Sequence, residues 1–265
     1  MMNIDIVLPQ VIGAAQRAGE WALSEREKFT TDMVEVKGKH NFVSYVDKHC
    51  EAMLVEALGK ALPQAGFIAE EGTGSKNSSG LNWIIDPLDG TTNYIHGLSP
   101  FAVSIALMDN DRVVLGVVYE ASLRECFWAT ESGGAFLNGN PIKVTTTQKV
   151  NDSLIATGFP YYDYSRISPF FQTMDYFMRN SHGLRRLGSA ATDLVYVACG
   201  RFDAFYEYGL SPWDVAAGAF IVERAGGKVC DFKGGNSYIF GGEIIATNLN
   251  IHQEFTSVIR GIMFG

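Results

Sequence analysis

From residue 4 to about residue 29, apolar side chains return at helical spacing: Ile6, Val7, Val11, Ala14, Ala18, Trp21 and Ala22. That stripe predicts an amphipathic helix. A second stripe, Tyr45, Val46, Cys50, Met53, Leu54, Ala57 and Leu58, opens near Ser44 and stops before Pro63, with Asp47, Lys48 and Glu51 near its start. The period then shortens. Residues 67–69, 83–85, 102–108, 113–119 and 125–129 read as strands in an antiparallel run, separated by turn-rich stretches such as Asp109-Asn110-Asp111. In the last hundred or so residues helix and strand alternate, with helices starting near Gly188 and Trp213 and strands at 202–206 and 228–230. The pattern predicts an α/β layered sandwich, read as one domain over 1–265 with a soft boundary near residue 150 between an α+β half and an α/β half. The stretch 73–80, TGSKNSSG, is a loop.

Composition narrows the class. With 265 residues, 47% hydrophobic and 19% charged, the chain can bury a large core. It has neither a leader pattern nor an apolar run long enough for a bilayer, so no membrane role and a cytoplasmic location are expected. Cys50, Cys126, Cys199 and Cys230 show no zinc-ligand spacing and read as buried free thiols. A net charge of −8 without a basic run argues against nucleic acid as the primary partner.

The chemistry concentrates at residues 83–97, WIIDPLDGTTNYIHG. An apolar strand ends in Asp86, Pro87 is expected to fix a turn, Asp89 follows, and Gly90 would let the backbone approach a ligand. A short helix after Gly90 would aim free N–H groups at an anion beside two carboxylates. Carboxylates repel phosphate unless hard cations lie between them, which implies magnesium. Glu70-Glu71, after the 67–69 strand, and Asp214, before an apolar helix, sit at similar strand ends and helix starts. Taken alone, the Asp-Pro-x-Asp-Gly run reads more readily as a solvated turn, Glu70-Glu71 as a loop, and Asp214 as a helix-capping charge. Their joint arrangement favours a site.

These strings, WIIDPLDGTTNYIHG with FIAEEG upstream and PWDVAAGAFIVERAGG downstream, resemble the metal-site motifs of the inositol monophosphatase family. HNFVSYVD and LGSAATDLVYVACGRFDAFYEYGLSPWD agree with it, so the resemblance runs roughly from residue 37 to residue 227. It implies a layered αβαβα fold and a homodimeric, lithium-sensitive phosphatase using two to three Mg2+ ions on a small phosphorylated polyol or sugar. By position, Asp86 would bridge two ions, Glu70 and the Leu88 carbonyl would complete one site, and Asp89 and Asp214 the other. Glu70 would also hold a third, weaker ion through water. Thr91, paired with Asp47, would position the attacking water. Gly90 and Thr91 amides would hold phosphate, while Gly188, Ser189, Ala190, Asp89, Asp214 and Glu207 would meet the substrate. Without the resemblance, Glu207 reads as a surface charge. Lys37, Lys39, Arg185, Arg186 and His96 are given no role. Thr92 stands where nucleotide and histidinol phosphatase relatives often carry lysine, which favours inositol monophosphate. Fructose 1,6-bisphosphate or another sugar phosphate is the alternative substrate, and a non-catalytic interaction protein is the alternative class.

Overall fold

The computed structural model describes residues 4–28, 34–38, 41–77 and 80–265. Phe29, Lys39, His40, and Ser78-Ser79 of the loop, lie outside the described residues. Helix α1 (Ile4–Arg26) and helix α2 (Tyr45–Ala61) form the first layer, with a small hairpin, β1 (Val34–Gly38) and β2 (Asn41–Ser44), between them in sequence. The expected stripe of α1 is buried at Val7, Val11, Ala14, Ala18 and Ala22, but Ile6 is 64% exposed: it lies off the narrow face that Ala and Val present to the sheet.

The second layer is a seven-stranded sheet, in spatial order β3 (Gly66–Ala69), β4 (Leu81–Asp89), β5 (Ala102–Asp109), β6 (Arg112–Glu120), β7 (Glu125–Thr130), β8 (Ala135–Leu137) and β9 (Asn140–Ile142). All neighbours pair antiparallel except β3 with β4, which run parallel. Period-two alternation divides the sheet between two cores. Trp83, Ile85, Val103, Ile105, Leu107, Leu115, Val117 and Tyr119 pack with α1 and α2. Ile84, Ala102, Ala106, Val118 and Phe127 pack on the other face.

That second face meets the third layer, α5 (Ala190–Ala198) and α6 (Pro212–Arg224), whose runs of consecutive buried residues mark helices covered by sheets on both sides. The fourth layer is a five-stranded sheet in the order β11 (Gly183–Arg185), β10 (Leu154–Thr157), β12 (Ala204–Tyr208), β14 (Glu243–Thr247) and β13 (Lys228–Cys230). Helices α4 (Ile167–Arg179) and α7 (His252–Phe264) close the far side through Phe170, Phe177, Phe255 and Ile259. The result is the expected αβαβα sandwich. Of the four free thiols, Cys50, Cys126 and Cys230 are buried and Cys199 is only half-buried. No helix among the described residues is long and apolar enough to cross a membrane.

Two local expectations change. Strand β4 does not end at Asp86 but runs on to Asp89, and Pro87 makes no turn. Its pairing with β5 shifts register between Asp86 and Asp89, a bulge that accommodates a residue with no N–H to donate. The bulge also keeps both aspartates on one strand end. Glu207 does not terminate its strand at the surface: it lies inside β12, 6% exposed.

Candidate active site

Several chain segments meet at a cavity of about 300 Å3. The end of β4 supplies Asp86, Leu88 and Asp89, and Gly90 leads into the short helix α3 (Thr91–Ile95). Glu70 comes from the turn after β3, and Asp214 from the first turn of α6. The segment opening α5 brings Gly188, Ser189 and Ala190, and β12 brings Glu207. Polar ties join these segments. Asn93 Nδ2 donates to the carbonyls of Pro100 and Leu187, both at 2.8 Å, and Ser104 Oγ donates to the Trp213 carbonyl at 3.0 Å.

Gly90, which lines the cavity, also meets a need within the protein. Its φ is +94°, and a Cβ there would stand 3.0 Å from the Pro100 carbonyl and 3.3 Å from that of Gly188. The absent side chain makes room for these two carbonyls.

Each aspartate spends part of its carboxylate on the scaffold. Asp86 Oδ1 accepts from the Leu88 amide at 2.9 Å. Asp89 Oδ2 accepts from Ser189 Oγ at 2.5 Å and from the Ala191 amide at 2.7 Å. Asp214 Oδ2 accepts from the Ser211 amide at 2.7 Å, the reciprocal half of a capping box. Asp86 is in addition within hydrogen-bonding reach of the Glu70 and Asp214 carboxyls, a contact that needs a shared proton or a cation between them. Of the Glu70-Glu71 pair only Glu70 lines it. Glu51 of α2, fully buried, fixes that turn by accepting from the Glu71 and Thr73 amides at 2.7 and 2.8 Å.

The electrostatics follow from packing acids together without a counter-charge. Burial, then Asp214 and Asp47, pushes the Glu70 carboxyl up to about 8. Burial, then Glu70, Asp89 and Asp214, drives Asp86 well above the usual carboxylate range. Asp214 rises to about 7 through burial and the Asp89 charge, and Asp89 to about 6 through burial, against its hydrogen bonds to Ser189 and Ala191. Such a set of oxygen donors fits a hard divalent cation, which would replace the protons. As they stand, no three His, Cys, Asp or Glu side chains among the described residues are arranged to close round an ion.

Asp47 stands behind this cavity and does not line it. Its Oδ2 accepts from the Ser44 amide and hydroxyl at 2.8 and 2.7 Å, and burial pushes it up to about 6. Thr91 Oγ1 lies 3.1 Å from Asp47 Oδ1 and 2.9 Å from the Leu88 carbonyl, and its single proton can serve one acceptor at a time. Glu207 presents a carboxylate to the cavity with no hydrogen-bond donor among the described residues, and burial drives its pKa well up. Sequence reasoning missed Gly158, Tyr161, Tyr162, Arg186, Leu210, Ser211 and Trp213, which also line the cavity. Only the cation Arg186 carried a signal, one too common to use. His96 is exposed, and Arg185 is exposed and donates to the Leu184 carbonyl.

A layered α/β protein with an acid-lined cavity between strand ends and helix starts presents its carboxylates where small-molecule sites are commonly built. The chain belongs to the inositol monophosphatase family, whose pattern it matches over residues 4–262. That span exceeds the 37–227 stretch over which the resemblance was read. The family generally comprises metal-dependent phosphatases. The chain is 42% identical to the Nus factor SuhB of Escherichia coli K12 over 263 residues, 98% of this chain and 96% of that one. It is 38% identical to an inositol-1-monophosphatase of Mesorhizobium japonicum, covering 96% of each. Among solved structures it resembles the inositol monophosphatase of Anabaena, with a TM-score of 0.87, 36% identity, and coverage of 98% of this chain and 97% of that one.

Proposed function

We propose that this protein is a magnesium-dependent phosphatase for a small phosphomonoester, with myo-inositol monophosphate as the leading substrate. The observation that carries the reading is the convergence of Glu70, Asp86, Asp89 and Asp214 on one cavity beside the amides that open α3. Glu70, Asp86, the Leu88 carbonyl, Asp89 and Asp214 would hold two to three ions. Magnesium, when bound, lowers the pKa of an attacking water and offsets charge on the phosphate and the leaving oxygen. Thr91 orients that water. Its hydroxyl passes a hydrogen bond or a proton to Asp47, whose raised pKa suits it to accept near neutrality. Glu70 would also hold a third, weaker ion through water. The Gly90 and Thr91 amides seat the phosphate, and Gly188, Ser189, Ala190, Asp89, Asp214 and Glu207 meet the rest of the substrate. Glu207, an acceptor without a donor, suits a pair of ring hydroxyls.

The same reading takes 1–265 as one phosphatase domain, with its softer boundary near residue 150, acting as a cytoplasmic homodimer. Sedimentation of the purified chain tests the dimer. The decisive experiment is phosphate release from myo-inositol 1-phosphate, fructose 1,6-bisphosphate, histidinol phosphate and an adenosine bisphosphate, with magnesium, EDTA or lithium. Magnesium-dependent, lithium-inhibited release fastest on the inositol ester supports the reading; preference for another ester replaces the substrate. A second reading, an interaction role on the same fold, draws on the relatives named Nus factor. Release from no ester would favour it.

A further inference from the structure

Two fully buried side chains, Glu51 and Thr192, stand outside the lining of the cavity and each reaches one of its acids from a different layer. Glu51 lies one turn beyond Asp47 on α2. The turn it grips is tight: the Gly72 amide donates to the Ala69 carbonyl at 3.2 Å, which places Glu70 at the first bend after β3. Sheet pairing anchors the near side of that turn, where the Glu70 amide donates to the Ile85 carbonyl at 3.3 Å. Glu51 anchors the far side, its Oε2 and Oε1 accepting from the Glu71 and Thr73 amides at 2.7 and 2.8 Å. Both of its oxygens are committed to backbone N–H groups, and such bonds to a carboxylate are strong. The direction in which Glu70 points is therefore set jointly by β3 and by a residue of the first helical layer.

Thr192 stands in the first turn of α5. Its hydroxyl lies 2.7 Å from Ser189 Oγ, and its amide donates to the same oxygen at 3.3 Å. Ser189 has one hydroxyl proton, and Asp89 Oδ2 at 2.5 Å is the acceptor for it. With that proton on Asp89, the bond between the two hydroxyls runs from Thr192 to Ser189. Thr192 thus holds Ser189 turned towards Asp89. This chain and the one through Glu51 share no residue. In the ligand set proposed above, Glu70 and Asp89 fall in different metal sites, with Asp86 common to both.

We propose that Glu51 and Thr192 are positioning residues that set the affinities of the two metal sites separately, Glu51 through the Glu70 turn and Thr192 through Ser189 and Asp89. The inference rests on the phosphatase reading and deepens it: the two ions are controlled from different layers of the sandwich, by residues that touch neither ion. The probe is manganese, which suits the same octahedral oxygen sites as magnesium, with the free ion counted by electron paramagnetic resonance so that no turnover is needed. Glu51→Gln keeps one acceptor and sets an amide N–H against a backbone N–H. It should weaken the Glu70 site by about tenfold to a hundredfold, the range for a group that orients a ligand. Thr192→Val keeps the shape and loses the hydroxyl, and should weaken the Asp89 site by about twofold to tenfold. Crossing the variants assigns the sites. In a Glu70→Gln background Glu51→Gln should add little while Thr192→Val keeps its full effect, and in an Asp89→Asn background the reverse should hold. Glu51→Asp, which keeps both acceptors on a shorter stem, should weaken the Glu70 site less, and takes the place of Glu51→Gln if that variant does not fold. A general loosening of the structure would weaken both sites in every background, and that result overturns the proposal, as does unchanged binding in the single variants. No manganese binding by the unaltered chain overturns the ligand set and this inference with it, whereas binding that shifts without a split overturns the inference alone.

Discussion

Two helices of this protein begin in the same way and are put to different use. Helix α2 starts Ser44-Tyr45-Val46-Asp47 and α6 starts Ser211-Pro212-Trp213-Asp214, and in each the aspartate at the third helical position accepts from the backbone N–H of the serine before the helix. Both carboxylates are held by the same device against the positive end of a helix. They differ in what the second oxygen meets. Asp47 Oδ1 faces the Thr91 hydroxyl, so any influence on a ligand passes through Thr91. Asp214 reaches the Asp86 carboxyl, and the residue lines the cavity with Asp86 and Asp89. A capping box thus fixes a carboxylate and leaves half of it for chemistry, and the neighbouring layer decides whether that half acts directly or through an intermediary.

The comparison breaks most visibly in turnover. Asp214→Asn keeps an acceptor for the Ser211 amide but removes a metal-directed charge, so kcat should fall by about a thousandfold or more while the melting temperature without metal holds or rises. Steady-state phosphate release and thermal melts measure both, and a tenfold loss or less would place Asp214 outside the ligand set. Asp47→Asn should cost about tenfold to a hundredfold, the scale of a positioned acid or base. Thr91→Ala should match it, and the double variant should lose little more, because the two act as one unit. Additive losses would separate them.

A third test uses pH. With no metal bound, Asp214 and Glu70 sit near 7 and 8 and Asp47 near 6, all above the unfolded value of about 4. A raised folded pKa contributes stability below the unfolded pKa that is lost as pH climbs through the folded one. The melting temperature in EDTA should therefore decline between about pH 5 and pH 8, and the rise produced by magnesium should grow over the same interval. Asp214→Asn should flatten the decline more than Asp47→Asn, whose interval ends lower. The smallest effect belongs to the cap. Ser44 Oγ donates to Asp47 and accepts from the Val46 amide, so Ser44→Ala should destabilise by about 1 kcal/mol in urea melts.

Much of this arrangement was legible in the residues. The apolar periods of α1, α2 and the middle strands predicted two covered faces, and the motifs around Glu70, Asp86, Asp89 and Asp214 identified the acids that meet. What escaped was nonlocal. Strands β8 to β11 and β14 are short or broken by polar residues, so their alternation stays below what a period can signal. Pro87 announced a turn because a bulge depends on the register of the neighbouring strand. Glu207 reads as a surface charge because the apolar pattern ends at residue 206, whereas β12 runs on to Tyr208 and the fold buries the carboxylate against Gly158. Glu51 and Asn93, which tie loops to helices through backbone groups, have no signature that distinguishes them from ordinary helix polar residues.

One of the cavity's glycines carries a consequence for the inheritance of function. The Glu207 carboxyl occupies the space a Cβ on Gly158 would take, so any side chain at 158 would evict it. Position 158 has no side chain that could bind or react, yet it is bound to the fate of position 207, almost fifty residues away. In a survey of tolerated substitutions, 158 should behave as though it were chemically active, and a lineage that loses the carboxylate at 207 should be free to lose the glycine as well.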